Sequence, residues 1–249
     1  MSRYFIEVSY KGTRFSGFQI QENAVTIQSE VERALRICFK QPFNLTGASR
    51  TDRGVHARQN YFHVDTEMAI DSSRKMYNLN AIISHDIVIK SIFRVSDSAH
   101  CRFDATRREY KYFIYTKKNP FIQDTAYYYP YHLDRELLRK AAEVVAGKKN
   151  FTSFSKKNTQ VNNFLCSIHT SKWNTTGETL EYNVSANRFL RGMVKGLVGT
   201  MLLVGTNKIS IEDLHQIFES QDCSKANFSV PAHGLFLESV SYPEMNYLK

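Results

Sequence analysis

Gly47 to Arg58 reads GASRTDRGVHAR, and its residue types come closest to a reaction centre. One acid, Asp52, stands among Arg50, Arg53, His56 and Arg58. Nearby positive charge favours the ionised form of a carboxylate. An ionised carboxylate is what a nucleophile or a proton-abstracting base requires, and the same arginines could hold phosphates beside it. An ordinary loop closed by Asp–Arg ion pairs uses the same residue types. Gly47 and Gly54 bracket the segment as turn residues.

The elements that must position this segment follow from periodicity. Tyr4–Tyr10 (YFIEVSY) is rich in β-branched and aromatic residues and predicts a strand. Ile27 to Phe39 carries Ile27, Val31, Ala34, Leu35 and Cys38 at helical spacing, with Thr26 as N-cap. A strand over Asn60–Val64, a weaker helix over Asp71–Ile83 and a strand over Ile87–Val95 complete the first half. The second half repeats the order: strand Glu109–Thr116, helix Asp134–Ala146, strands Cys166–Trp173 and Thr179–Ala186, helices Phe189–Val204 and Ile211–Phe218, and strand Leu235–Tyr242. Ser210 with Asp213 has the spacing of a capping box.

Both halves fit a β-α-β-β-α-β order. The expected fold is α/β (α+β): two split-βαβ-like halves, mainly antiparallel sheets, and a central basic cleft as the place for a site. The boundary falls in Asp97–Phe103, giving halves at 1–100 and 101–249. On a helix running from Asn187, Arg188, Arg191 and Lys195 share one arc with Gly192 and Gly199. Leu190, Met193, Val194, Leu197 and Met201 take the opposite, core side.

Lys plus Arg total 33 against 24 Asp plus Glu, a net charge of +9, which favours a polyanionic partner such as nucleic acid. The four cysteines lie far apart, and no Cys/His group has zinc spacing, so no metal is expected. The N-terminus reads as a strand rather than a signal peptide, and the apolar run around Leu197 to Val204 is too short to span a bilayer. These features lead to the expectation of a reduced cytoplasmic protein with no membrane partner. A lone acid in the motif argues against a metal-dependent nuclease, which wants several clustered acids.

Arg50-Thr51-Asp52-Arg53-Gly54-Val55-His56-Ala57 resembles the R-T-D-x-G-V-H-A signature of TruA-type tRNA pseudouridine synthases. Five further blocks follow in the family's order. They are Tyr10-Lys11-Gly12 with Gly17-Phe18-Gln19, His100-Cys101-Arg102-Phe103 leading to Tyr110-Lys111-Tyr112, Phe151-Thr152-Ser153-Phe154, Asn187 to Gly199, and Gly234-Leu235-Phe236-Leu237.

The resemblance implies a cofactor-free isomerase. It breaks the N1–C1′ bond of a uridine, turns the uracil and rejoins it through C5. Asp52 takes the catalytic role, by covalent attack or through a glycal. Tyr110 packs on the uracil, and Lys195 stands where the family has the arginine that partners the aspartate. Arg50 helps to displace the extruded base. His100 and Arg102 fall in an RNA-contacting block. Arg107, Lys111 and Lys118 continue a basic run, and Arg53, His56, Arg188 and Arg191 join the RNA-binding set. The implied substrate is tRNA at positions 38 to 40 of the anticodon stem-loop, and the implied assembly a homodimer. A different RNA position, or a non-catalytic RNA-binding homologue, is the alternative. The chain departs from the family at Ser49, Arg53, Phe18, Glu109, Lys195 and the stretch Ser155 to Phe164, which bears on the choice of target uridine.

Overall fold

The computed structural model describes residues 1–157 and 161–243, the side chains of 72–74 excepted. In chain order it has β1 (Ser2–Tyr10), α1 (Ile27–Phe39), β2 (Thr46–Gly47), β3 (His56–Thr66), α2 (Ser72–Ile82), β4 (Ile87–Val95), β5 (Arg107–Tyr115), β6 (Tyr127–Tyr128), α3 (Arg135–Gly147), β7 (Ile168–Thr176), β8 (Thr179–Ala186), α4 (Met193–Gly205), α5 (Ile211–Ser220) and β9 (Leu235–Ser241). The fold is mixed α/β with mostly antiparallel strand pairs. The chain divides into two compact units, Met1–Thr106 with the segment from Phe236 on, and Arg107–Leu235.

In the first unit β1 pairs antiparallel with β3 and β4, and β9 joins β3 in parallel through His56↔Phe236 and Ala57↔Leu237. The closing strand thus belongs with the chain's beginning. Helix α1 starts at a full capping box, in which Thr26 accepts from the Ser29 N–H and Ser29 caps the Thr26 N–H in return. Its buried side chains are Ile27, Val31, Ala34 and Leu35, four of the five residues of the stripe that the spacing predicts, while Cys38 is half-buried. Phe18 stacks on Phe62 at 4.5 Å in this core.

In the second unit β8 lies between β5 and β7, antiparallel to both. Asp134 caps α3 by accepting the Glu136 and Leu137 N–H groups, and Ser210 with Asp213 forms the expected capping box on α5. Helix α4 is apolar on nearly every side, and 11 of its 13 residues are buried; a helix of that composition has to be a core element. A Cβ on Gly199 would sit 2.1 Å from the Asn227 carbonyl oxygen, so the glycine admits the chain's own backbone.

Helix α4 begins at Met193, four residues later than the periodicity predicts. Gly192 is left-handed at φ 75°, and a helix cannot run through that conformation. Arg188 and Arg191 therefore precede the helix, and the common helical arc with Lys195 does not form. Leu190, Met193, Val194, Leu197 and Met201 are all buried, as expected. Among the described residues no helix is long and apolar enough to cross a membrane.

Candidate active site

The Asp52 loop hangs between β2 and β3, and its neighbours are pinned from below. Thr51, 8% exposed, places Oγ1 2.8 Å from the Tyr10 hydroxyl. Asn60 donates to that same hydroxyl at 3.1 Å and to the Ser49 carbonyl at 2.8 Å. The Phe18 N–H donates to the Thr51 carbonyl at 3.1 Å, and Val55 N–H closes a turn on the Asp52 carbonyl at 3.1 Å. Gly54, at φ 79°, supplies the left-handed step this turn needs. Gly12 lies so close beneath the loop that a Cβ there would be 2.0 Å from the Val55 carbonyl oxygen.

On this anchored base Arg50, Asp52 and Arg53 are exposed together. Among the described residues of this unit, no ion pair joins Asp52 to Arg50, Arg53 or Arg58. Arg58 turns to Glu238 instead, at 3.2 Å, and lies over the Phe236 ring. A loop merely closed by Asp–Arg pairs would show the opposite pattern.

His56 is 1% exposed. Its Nδ1 accepts the Gly12 N–H at 3.0 Å, and its ring stacks on Phe236 at 4.5 Å. That burial stands apart from its expected place among the RNA-binding residues: the imidazole holds the loop to β9 and to the turn at Gly12.

His100 and Arg102 sit in the turn after β4. The His100 N–H donates to Asp104 Oδ2 at 2.7 Å, and His100 Nδ1 accepts the N–H groups of Arg102 and Phe103 at 3.1 and 3.3 Å. Arg102 is exposed and holds its guanidinium over the Phe103 ring at 5.6 Å. Phe103 itself is 74% exposed, and a phenylalanine in sequence carries no sign of that.

Beneath this turn His63, His100 and Cys101 bring possible ligand atoms within 4.8 Å of one another. Atoms of all three already make hydrogen bonds. His100 Nδ1 takes the two backbone N–H groups, and Cys101 Sγ lies 3.1 Å from both His63 Nδ1 and the Thr46 carbonyl. The cluster is a hydrogen-bonded packing unit. Burial, then the Arg3 guanidinium, pushes the His63 pKa down to about 4, and the same causes lower that of His100.

In the second unit, strand alternation sorts the expected residues. Tyr110 and Tyr112 share a face of β5. Tyr112 is fully buried, with its hydroxyl donating to the Pro231 carbonyl at 2.7 Å, and burial raises its pKa. Tyr110 stays half-buried, edge-on to Phe189 at 5.0 Å. Arg107 and Lys111 take the opposite face, where Arg107 pairs with Glu109 at 3.7 Å and Lys111 with Glu181 at 3.4 Å. The basic run is therefore two surfaces, and Arg107 and Lys111 do not flank the Tyr110 ring. Lys118 is exposed in the turn after β5. Arg188 is half-buried and Arg191 exposed in the segment before α4, and Lys195 is half-buried in the first turn of that helix. Of the departing stretch Ser155 to Phe164, residues 158–160 lie outside the described residues.

Comparison with known proteins bears on what this arrangement does. Residues 141–243 match the profile of a family described as tRNA pseudouridine synthase. The tRNA pseudouridine synthase A of Parabacteroides distasonis is 42% identical over 245 residues, covering 98% of this chain and 97% of the relative. That of Porphyromonas gingivalis is 40% identical over 252 residues, covering 100% of both. That of Staphylococcus aureus (strain N315) is 34% identical over 249 residues, covering 99% of this chain and 93% of the relative.

Proposed function

This chain belongs to the tRNA pseudouridine synthase A family, and we propose that it isomerises uridine to pseudouridine in the anticodon stem-loop of tRNA, at positions 38 to 40, with Asp52 as the essential carboxylate and no cofactor. The observation that carries the reading is the Asp52 loop: an exposed acid between exposed arginines, on a buried hydrogen-bonded base, with no ion pair consuming it among the described residues of its unit. The reaction breaks N1–C1′ and forms C5–C1′ within one nucleotide. The C5 proton leaves and N1 gains one, so atoms balance without a redox partner. Asp52 acts on the sugar or base. Tyr110, the less buried tyrosine of its face, packs on the uracil, because an extruded base needs an aromatic or apolar platform. Arg50 fills the space that the base vacates. Lys195 provides the positive charge that the family resemblance places with the aspartate, and Arg53, Arg102, Lys118, Arg188 and Arg191 contribute to phosphate binding. The enzyme works as a homodimer on tRNA.

Mass-spectrometric mapping of pseudouridine in unmodified tRNA treated with the purified protein tests this. Pseudouridine in the anticodon arm is the expected result. Modification confined to other arms would overturn the assigned position, and no modification of any tRNA would overturn the activity.

A further inference from the structure

The turn at His100 to Asp104 places a phenylalanine ring in solvent and holds it there. Phe103 is 74% exposed, and what sets it apart is the set of rings and the guanidinium gathered around it. Its surroundings are stiff. The Asp104 N–H donates to the His100 carbonyl at 3.0 Å, the His100 N–H returns to the Asp104 carboxylate at 2.7 Å, and His100 Nδ1 ties down the N–H groups of both Arg102 and Phe103.

A row of rings leads from the core to this point. Phe5, 1% exposed, stacks with His63 at 6.4 Å. His63 meets His100 edge-on at 4.6 Å, and His100 lies 4.3 Å from Phe103. The row ends at the exposed Phe103, with the Arg102 guanidinium 5.6 Å from the ring centroid. A rigid aromatic face with an adjoining guanidinium matches the chemistry of an unstacked nucleobase followed by its phosphate, since stacking accepts any base and the cation takes the backbone.

We propose that Phe103 is a stacking platform for an unpaired nucleobase of the RNA substrate, carried on the His63–His100 row and paired with Arg102 as the phosphate contact. The inference rests on the proposed tRNA substrate and adds a subsite to it. Phe103 is a binding residue in this account and takes no part in bond making.

The test is tRNA affinity and kcat/KM of the full-length wild type, Phe103→Ala, Phe103→Trp and Arg102→Ala, measured across a salt series. Loss of one stacked base weakens binding by about 5- to 150-fold. The expected result is such a loss in F103A, its rescue in F103W, and a salt dependence in F103A parallel to wild type. R102A should instead flatten the salt dependence by about one phosphate contact. Melting temperatures should stay near wild type, because the ring is mostly outside the core. Affinity in F103A within twofold of wild type would overturn the platform. So would a change of oligomeric state in F103A with tRNA affinity intact, which would make the ring a protein contact. A wild type that binds and modifies no tRNA would fail the proposed function itself, a result distinct from either.

Discussion

At the scale of single residues the proposed function rests on Asp52. Removing its charge should stop chemistry without loosening the complex. Asp52→Asn is expected to lower the single-turnover rate on tRNA by far more than tenfold, the equivalent of about 1.4 kcal/mol. Its tRNA affinity should hold or rise, because one negative charge facing a polyanion is gone. A rate within tenfold of wild type would remove Asp52 from the mechanism. Lys195 gives a second contrast. A lysine keeps a positive charge and lacks the bidentate fork of the family's arginine. Lys195→Arg should therefore retain most activity. Lys195→Met should cripple kcat while circular dichroism and melting stay native-like, since the side chain is only half-buried at the start of α4. Full activity in the methionine variant would pass the role to another base, with Arg188 and Arg191 the next to examine.

At the scale of elements, two packing contacts make predictions of their own. The Asp52 loop rests directly on Gly12, where a Cβ would meet the Val55 carbonyl oxygen at 2.0 Å. Gly12→Ala must push the loop away from its base, and overpacking of this kind costs about 1–3 kcal/mol. The expected outcome is a lower melting temperature together with a fall in kcat larger than the fall in tRNA affinity. The strand β3 and the turn after β4 meet at His63, whose folded pKa of about 4 lies below its ordinary 6.5 because of burial and the Arg3 charge, with His100 adding to the effect and Asp65 and Asp104 opposing it. The unfolded chain takes up this proton first. Stability contributed by the neutral imidazole is therefore complete above pH 6.5 and is lost as pH falls from 6.5 toward 4. The slope from this one group is at most about 1.4 kcal/mol per pH unit. Denaturant midpoints at pH 7 and pH 5, compared between wild type and His63→Gln, measure it; a variant with the wild-type dependence would assign the effect elsewhere.

At the scale of the molecule, the net charge of +9 sets how the protein meets RNA. Binding carried by several phosphate contacts should weaken linearly in log–log plots against salt, each contact adding to the slope. The proposed homodimer belongs to this scale as well. Light scattering at micromolar concentration should return twice the 28.8 kDa of one chain, and a monomeric mass would refute the assembly.

The sequence by itself determined whatever depends on neighbours within about one helical turn. Thr26, Asp134 and Ser210 cap their helices as their residue types and spacing require. The buried stripes of α1 and α5 follow the apolar period, and the ordered motifs around Asp52 carry the family. Tertiary structure decided the rest, because exposure and partners are set by segments far away in the chain. Tyr110 and Tyr112 are indistinguishable by alternation; packing makes Tyr112 core and leaves Tyr110 partly open. His56 sits in a basic motif, yet Gly12 and Phe236, 44 residues before and 180 after it, enclose the ring. The helical period ran on through Gly192, where the backbone turns left-handed and displaces Arg188 and Arg191 from α4. The exposure of Phe103, in the turn closed by Asp104, is likewise visible only in the fold. Local bonding selects the elements, while the burial of each ring and charge depends on contacts that no short window of sequence contains.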